Sequence, residues 1–138
     1  ILPECYPPHG DALVLLGHGT EHPAHMMYPA LQTALRLTDR NDVYVGTVEG
    51  WPGFEDVLSQ LRADGRGSVL LAPFMLVAGD HARNDMAGAD PDSWKSRLEA
   101  AGFKVRCQMD GLGSMERVRD LYRAHLRSSL EAEEQNGI

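Results

Sequence analysis

Cysteine is scarce in this 138-residue chain: only Cys5 and Cys107 occur. They form no C-x-x-C pair and no zinc spacing, so neither a disulfide framework nor a thiolate metal centre is expected. Cys107 lies in a strand-like run and reads as a small buried hydrophobe. Positive charge is also short, with 13 Lys and Arg against 20 Asp and Glu and a net charge of −7. That balance argues against broad binding to nucleic acid or to anionic membranes, though it is compatible with a local basic pocket for an acidic ligand. No apolar stretch approaches the ~20 residues that span a bilayer. A Walker lysine and a G-x-G-x-x-G are both missing, which leaves nucleotide binding unsupported. No internal repeat or low-complexity segment occurs. No charged segment leads into an apolar one at the start, so the expected compartment is the cytoplasm, with the periplasm as the alternative.

What is present is one domain's worth of ordinary globular sequence, 43% apolar and 24% charged. A domain of this size buries roughly 68–70% of the surface its unfolded chain exposes, enough for a core without staples. Ile1–Gly10 carries three prolines and a glycine ahead of the first apolar run. Residues 1–11 therefore read as a linker-like leader, as in a fragment or processed product, and residues 12–138 as the folded domain.

Within that domain, apolar runs alternate with helical spacing. Strands are expected at Ala12–Leu16, Asp42–Val48, Ser68–Pro73 and Lys104–Met109. Between them, Pro23–Leu37 and Gly53–Ala63 carry apolar residues at helical intervals. A long loop, Phe74 to Pro91, precedes a short helix over Ser93–Ala101, capped from Asp92. A final helix, capped from Ser114, should turn Met115, Val118, Leu121, Tyr122 and Leu126 inward, and the tail Glu131–Ile138 should fray. The pattern is (βα)₄: a three-layer α/β fold, with a four-stranded parallel sheet and helices on both faces.

Ligands of open α/β sheets bind beyond the carboxyl ends of the strands. Leu13-Val14-Leu15-Leu16-Gly17-His18-Gly19-Thr20 delivers one imidazole there. Val69 to His81 delivers a second, and Val43 to Glu49 a carboxylate. His18, Glu49 and His81 can thus share one rim. Two imidazoles and a carboxylate form the ligand set of many divalent sites, and neutral imidazole is the usual base near neutral pH. The alternative is three unrelated loop residues. A histidine-phosphatase reading also places a His after the first strand, but Gly17 stands where that chemistry needs Arg.

Read together, Gly17-His18-Gly19-Thr20, Val48-Glu49, Met75 to Met86, Asp92-Ser93-Trp94-Lys95 and Gly111-Leu112-Gly113 resemble the anaerobic-pathway sirohydrochlorin cobaltochelatases of the class II chelatase family. The resemblance runs from about Ala12 to Leu130. It implies a chelatase-like half with flavodoxin-like winding, insertion of Co²⁺ into sirohydrochlorin on the path to cobalamin, and Fe²⁺ as the metal of related enzymes. It maps His18 and His81 onto the family's site histidines, as ligand or base, and Glu49 onto its metal-binding glutamate. It also implies a partner, since the family is usually two such domains around a cleft. That partner is either a second chelatase half or another copy in a homo-oligomer. The competing reading is a carrier of cobalt or tetrapyrrole without turnover.

Other residues are candidates for supporting parts. Trp51, at the rim, can stack on a macrocycle, whereas Trp94 reads as packing. Arg83 can meet a substrate carboxylate as a fork. Asp80 and Asp85 read equally as orienters of imidazole and as turn residues. His22 and His25 lie one turn apart and can form an auxiliary metal site. His9 and His125 read as surface residues. Met26, Met27, Met75 and Met86 are soft ligands or, more simply, core filler.

Overall fold

Runs of Val, Leu and Ala bounded by glycine and charge build the sheet. The computed structural model describes Cys5, Tyr6 and residues 10–135. Strands β1 (Ala12–Gly17), β2 (Val43–Thr47), β3 (Ser68–Pro73) and β4 (Lys104–Cys107) pair in parallel in the order β2-β1-β3-β4. Leu15 sits opposite Val45 on one side and Ala72 on the other. β1 is buried along its whole length, as a central strand covered on both faces must be.

The helices are α1 (Met27–Leu37), α2 (Phe54–Ala63), α3 (Asp80–Ala87), α4 (Trp94–Ala100) and α5 (Glu116–Gln135). Alternation along β1 sends Ala12, Val14 and Leu16 to one face, where they meet Phe54, Val57 and Leu61 of α2, Met86 of α3, and Trp94 and Leu98 of α4. Leu13 and Leu15 point the other way, to Leu35 of α1 and to Leu112 and Met115 ahead of α5. The chain leaves β1 toward β2 and then reverses toward β3 and β4. Right-handed crossovers then place α1 on one face and α2 to α4 on the other, giving the expected three layers.

Several boundaries differ from the sequence reading. Pro23–Leu37 is not one helix. Pro23–Met26 form a 3-10 turn capped by the imidazole of His22, whose Nδ1 accepts from Ala24 N–H, and the α-helix starts at Met27. Phe74–Pro91 is not all loop, because α3 lies inside it. Only Ala82 and Met86, one turn apart, are buried along α3, too faint a stripe against Asp80-His81 and Arg83-Asn84-Asp85. Ser93, not Asp92, caps α4, with its hydroxyl accepting from Ser96 N–H. Ser114 ends a 3-10 turn instead of capping α5. The helix runs to Gln135, into the tail expected to fray, and residues 136–138 of that tail lie outside the described residues. Of its five inward residues only Val118 is buried. Met115 is half-buried, while Leu121, Tyr122 and Leu126 are exposed.

The linker-like leader is only partly covered, since residues 1–4 and 7–9 lie outside the described residues. Tyr6 packs into the core beside Leu13 and Leu15, so this part of the leader is folded onto the sheet. Burial pushes its hydroxyl up to about 12, with Cys5 and Asp110 adding to the effect. Cys107 is half-buried, and desolvation raises its thiol above the usual range.

β2 is an edge strand, yet it is fully buried. The side-chain amide of Gln32 on α1 does the work of a missing neighbour: its Nε2 donates to Val43 C=O (3.0 Å) and its Oε1 accepts from Val45 N–H (2.7 Å). Gln32→Leu keeps the bulk and removes both bonds, leaving two half-buried backbone groups unmatched. A loss of about 1–2 kcal/mol is expected, read as a lower urea midpoint at unchanged slope.

Candidate functional site

Reversal of strand order between β1 and β3 opens a crevice at the carboxyl rim, the usual ligand position in such sheets. His18 leaves β1 on one side of it, and the segment ending in His81 leaves β3 on the other. The β1–β2 ladder runs on beyond the strands. Val48 N–H donates to Gly17 C=O at 2.9 Å and Glu49 N–H to His18 C=O at 2.8 Å. Backbone bonds therefore fix His18 and Glu49 as neighbours, and both residues are exposed.

Gly19 makes this approach possible. Its φ is +95°, and a Cβ there would land on the Glu49 carbonyl. Gly19→Ala is expected to cost about 1–3 kcal/mol and to push the Glu49 loop off the rim. A chemical-denaturation midpoint checks it, and parent stability would show that the two loops do not depend on this contact.

His18 Nδ1 lies 3.3 Å from Gly19 C=O. A carbonyl only accepts, so this contact sets the proton on Nδ1 and leaves the Nε2 lone pair for an ion or a proton. His81 is the second residue of α3 and is exposed. The buried side chains of Ala82 and Met86 hold that helix and thereby place it. The three sequence-derived ligands thus share one rim. Among the described residues, however, no three His, Cys, Asp or Glu side chains come close enough to hold one ion.

Trp51 is 55% exposed on the β2–α2 loop, whereas Trp94 is buried at 4% and packs in the core. Arg83 lies on α3. Its Nε donates to Ala78 C=O (2.9 Å), and it lines a cavity of about 590 Å³ with Leu76, Val77, Arg119, Tyr122 and Arg123. Sequence reading missed Arg119 and Arg123 there. Their spacing of four on one helix is the signal that was available. Both are already engaged, Arg123 with Glu116 and Asp120 at 2.8 Å, and Arg119 with Ser114 C=O at 2.6 Å and with Glu116.

The auxiliary metal site at His22 and His25 is not formed. Both Nδ1 lone pairs accept from backbone N–H groups, and the other nitrogen of His25 is bonded to Trp51 C=O. Asp80 and Asp85 make no hydrogen bond to an imidazole among the described residues. Asp85 instead lines a separate hollow of about 350 Å³ with Asp90 and Asp92. Met26 and Met27 are exposed, Met75 is half-buried and Met86 is core. His125 is exposed on α5, and His9 lies outside the described residues.

This architecture defines a parallel α/β unit with an imidazole- and carboxylate-bearing rim. Its backbone superposes on the crystal structure of a CbiX protein from Marinobacter aquaeolei VT8, with a TM-score of 0.68 over 90% of this chain and 98% of that one, at 20% identity. The chain belongs to the cobalt chelatase (CbiK) family, whose profile matches residues 4–131. It is 40% identical over 122 residues to the sirohydrochlorin cobaltochelatase CbiKC of Nitratidesulfovibrio vulgaris (strain Hildenborough), covering 88% of this chain and 43% of that protein. It is 42% identical over 123 residues to the sirohydrochlorin cobaltochelatase of Salmonella typhimurium (strain LT2), covering 87% of this chain and 45% of that protein. The chain therefore spans less than half the length of the curated relatives it matches. Among the described residues, no helix is long and apolar enough to cross a membrane.

Proposed function

We propose that this chain forms one wall of a sirohydrochlorin cobaltochelatase, which exchanges the two inner N–H protons of the macrocycle for Co²⁺. The observation that carries the reading is the placement of His18, Glu49 and His81 on one switch-point rim, in a chain 40–42% identical to cobaltochelatases over most of its length. Co²⁺ is a substrate here. Two imidazoles and one carboxylate hold a first-row ion while leaving positions open for the incoming ring nitrogens. The Glu49 charge favours the ion. The departing protons need acceptors, and an imidazole nitrogen freed as the ion passes to the ring nitrogens provides one. The incoming ion and ring would draw together three side chains that otherwise share only a rim.

Sirohydrochlorin is rimmed with carboxylates, and in this reading Arg83 faces one of them while Trp51 stacks on the ring. A flat macrocycle needs a second wall to exclude water. That wall comes from a second chelatase-type unit, either within a longer chain or as another copy of this one. Anaerobic incubation with sirohydrochlorin and Co²⁺, followed by absorbance, tests the reading. Conversion of the free-base spectrum well above the protein-free rate is expected, with slower conversion when Fe²⁺ replaces Co²⁺. Tight binding of either substrate without conversion would make the protein a carrier, and no binding of either would end the proposal.

A further inference from the structure

We infer that His25 is a positioning residue whose imidazole ties the loop carrying His18 to the loop carrying Glu49 and Trp51. The role in metal insertion rests on the chelatase reading; the tie itself does not. The ring bridges two segments far apart in sequence. Its Nδ1 accepts from Thr20 N–H at 3.1 Å, two residues after His18. Its Nε2 is hydrogen-bonded to Trp51 C=O, two residues after Glu49. An N–H only donates and a carbonyl only accepts, so the two bonds together require one tautomer: neutral imidazole with its proton on Nε2. No other ring form satisfies both ends.

The surroundings are shaped for this ring. The edge of His25 meets Tyr28, with ring centroids 5.1 Å apart. Tyr28 in turn accepts from Gly19 N–H at 3.4 Å, so it touches the same loop. On the other side lies Gly50, at φ +99°, where a Cβ would come within 2.7 Å of the imidazole Cε1. The residue between Glu49 and Trp51 thus has no side chain where the ring passes. From its far side, the same loop is tied to β2 by Thr47, whose N–H (2.8 Å) and hydroxyl (3.0 Å) both donate to Pro52 C=O. Thr47 anchors the loop to the sheet, and His25 anchors it to its neighbour across the rim. A helix-start histidine without such a role would present a nitrogen to water, and here both are engaged.

Three variants separate the two ends. Asn places an acceptor near the position of Nδ1, Gln places a donor near that of Nε2, and Phe keeps the ring and removes both bonds. His25→Phe should raise exchange of the Thr20 amide at least tenfold and make Trp51 fluorescence markedly more sensitive to acrylamide, with buried Trp94 as the quench-resistant background. His25→Asn should restore amide protection only, and His25→Gln the quenching behaviour only. In metal insertion, His25→Phe should lower kcat by about 10–100-fold, because a displacement of about 1 Å at a reacting geometry costs that much. KM for the macrocycle should change less than kcat, and the melting temperature by only a few degrees. Parent-like exchange and quenching in His25→Phe would overturn the tie, whatever the activity. A loosened tie with unchanged kcat would overturn the positioning role. A parent protein that inserts no metal would overturn the chelatase reading while the amide and fluorescence results still judge the tie.

Discussion

Alanine at His18 or at His81 is expected to reduce Co²⁺ insertion by about 10²–10⁴-fold, the usual range for losing a positioned acid–base group. Stability should move by no more than about 0.5 kcal/mol, because both residues are exposed at the rim. The two variants are distinguishable in principle. The Nδ1 of His18 is turned to Gly19 C=O, so only its Nε2 is on offer, whereas His81 rides on α3 with its ring exposed. Glu49→Gln should weaken saturation by Co²⁺ more than binding of the macrocycle, since it removes charge and keeps shape. Initial rates against metal concentration, paired with thermal melts, check all three. Parent rates in both histidine variants would remove them from the chemistry.

Trp94→Ala is expected to have the largest effect on stability, about 3–5 kcal/mol. Single domains are commonly stable by about 5–15 kcal/mol, so this is a large share. Trp94 is 4% exposed and stands edge-on to Phe54, with ring centroids 5.1 Å apart and an interplanar angle of 75°. It reaches so close to β2 that a Cβ on Gly46 would meet its ring at 2.6 Å. On the outer side, the Arg97 guanidinium lies 3.7 Å from the centre of the Phe54 ring and closes the stack. Truncation leaves a hole between α2, α4 and the sheet that rigid backbone cannot fill. A guanidinium titration should show a lower midpoint at unchanged slope. A loss below about 1 kcal/mol would mean that neighbouring side chains collapse into the gap.

The strands were the most legible elements. A parallel sheet covered on both faces demands continuous apolar runs, and Leu13-Val14-Leu15-Leu16 and Val69-Leu70-Leu71-Ala72 have no other plausible use. Topology then carried His18, Glu49 and His81 to one rim without any knowledge of side-chain packing. What stayed hidden depended on contacts distant in sequence. The apolar period of α5 was legible, but period does not say what lies opposite, and Tyr122, Leu126 and Leu130 stand exposed. α3 was obscured because only Ala82 and Met86 along it are buried, too few to print an apolar period. The His25 tie joins positions 26 residues apart through loop backbone, which no local pattern encodes. The shift of the α4 cap from Asp92 to Ser93 is smaller in kind. Both types cap well, and Asp90 Oδ1 engages the backbone N–H of Asp92 instead.

The amide of Gln32 on β2 has a consequence for how the sheet can grow. An open strand is a template onto which any extended chain can crystallise, and a four-stranded sheet has two such margins. One is sealed by Gln32, which mimics a strand with a single side chain. The other, β4, is only four residues long and projects Lys104 and Arg106 into water. Neither margin welcomes a ladder. The sheet is therefore ill suited to being lengthened by a further strand on either side.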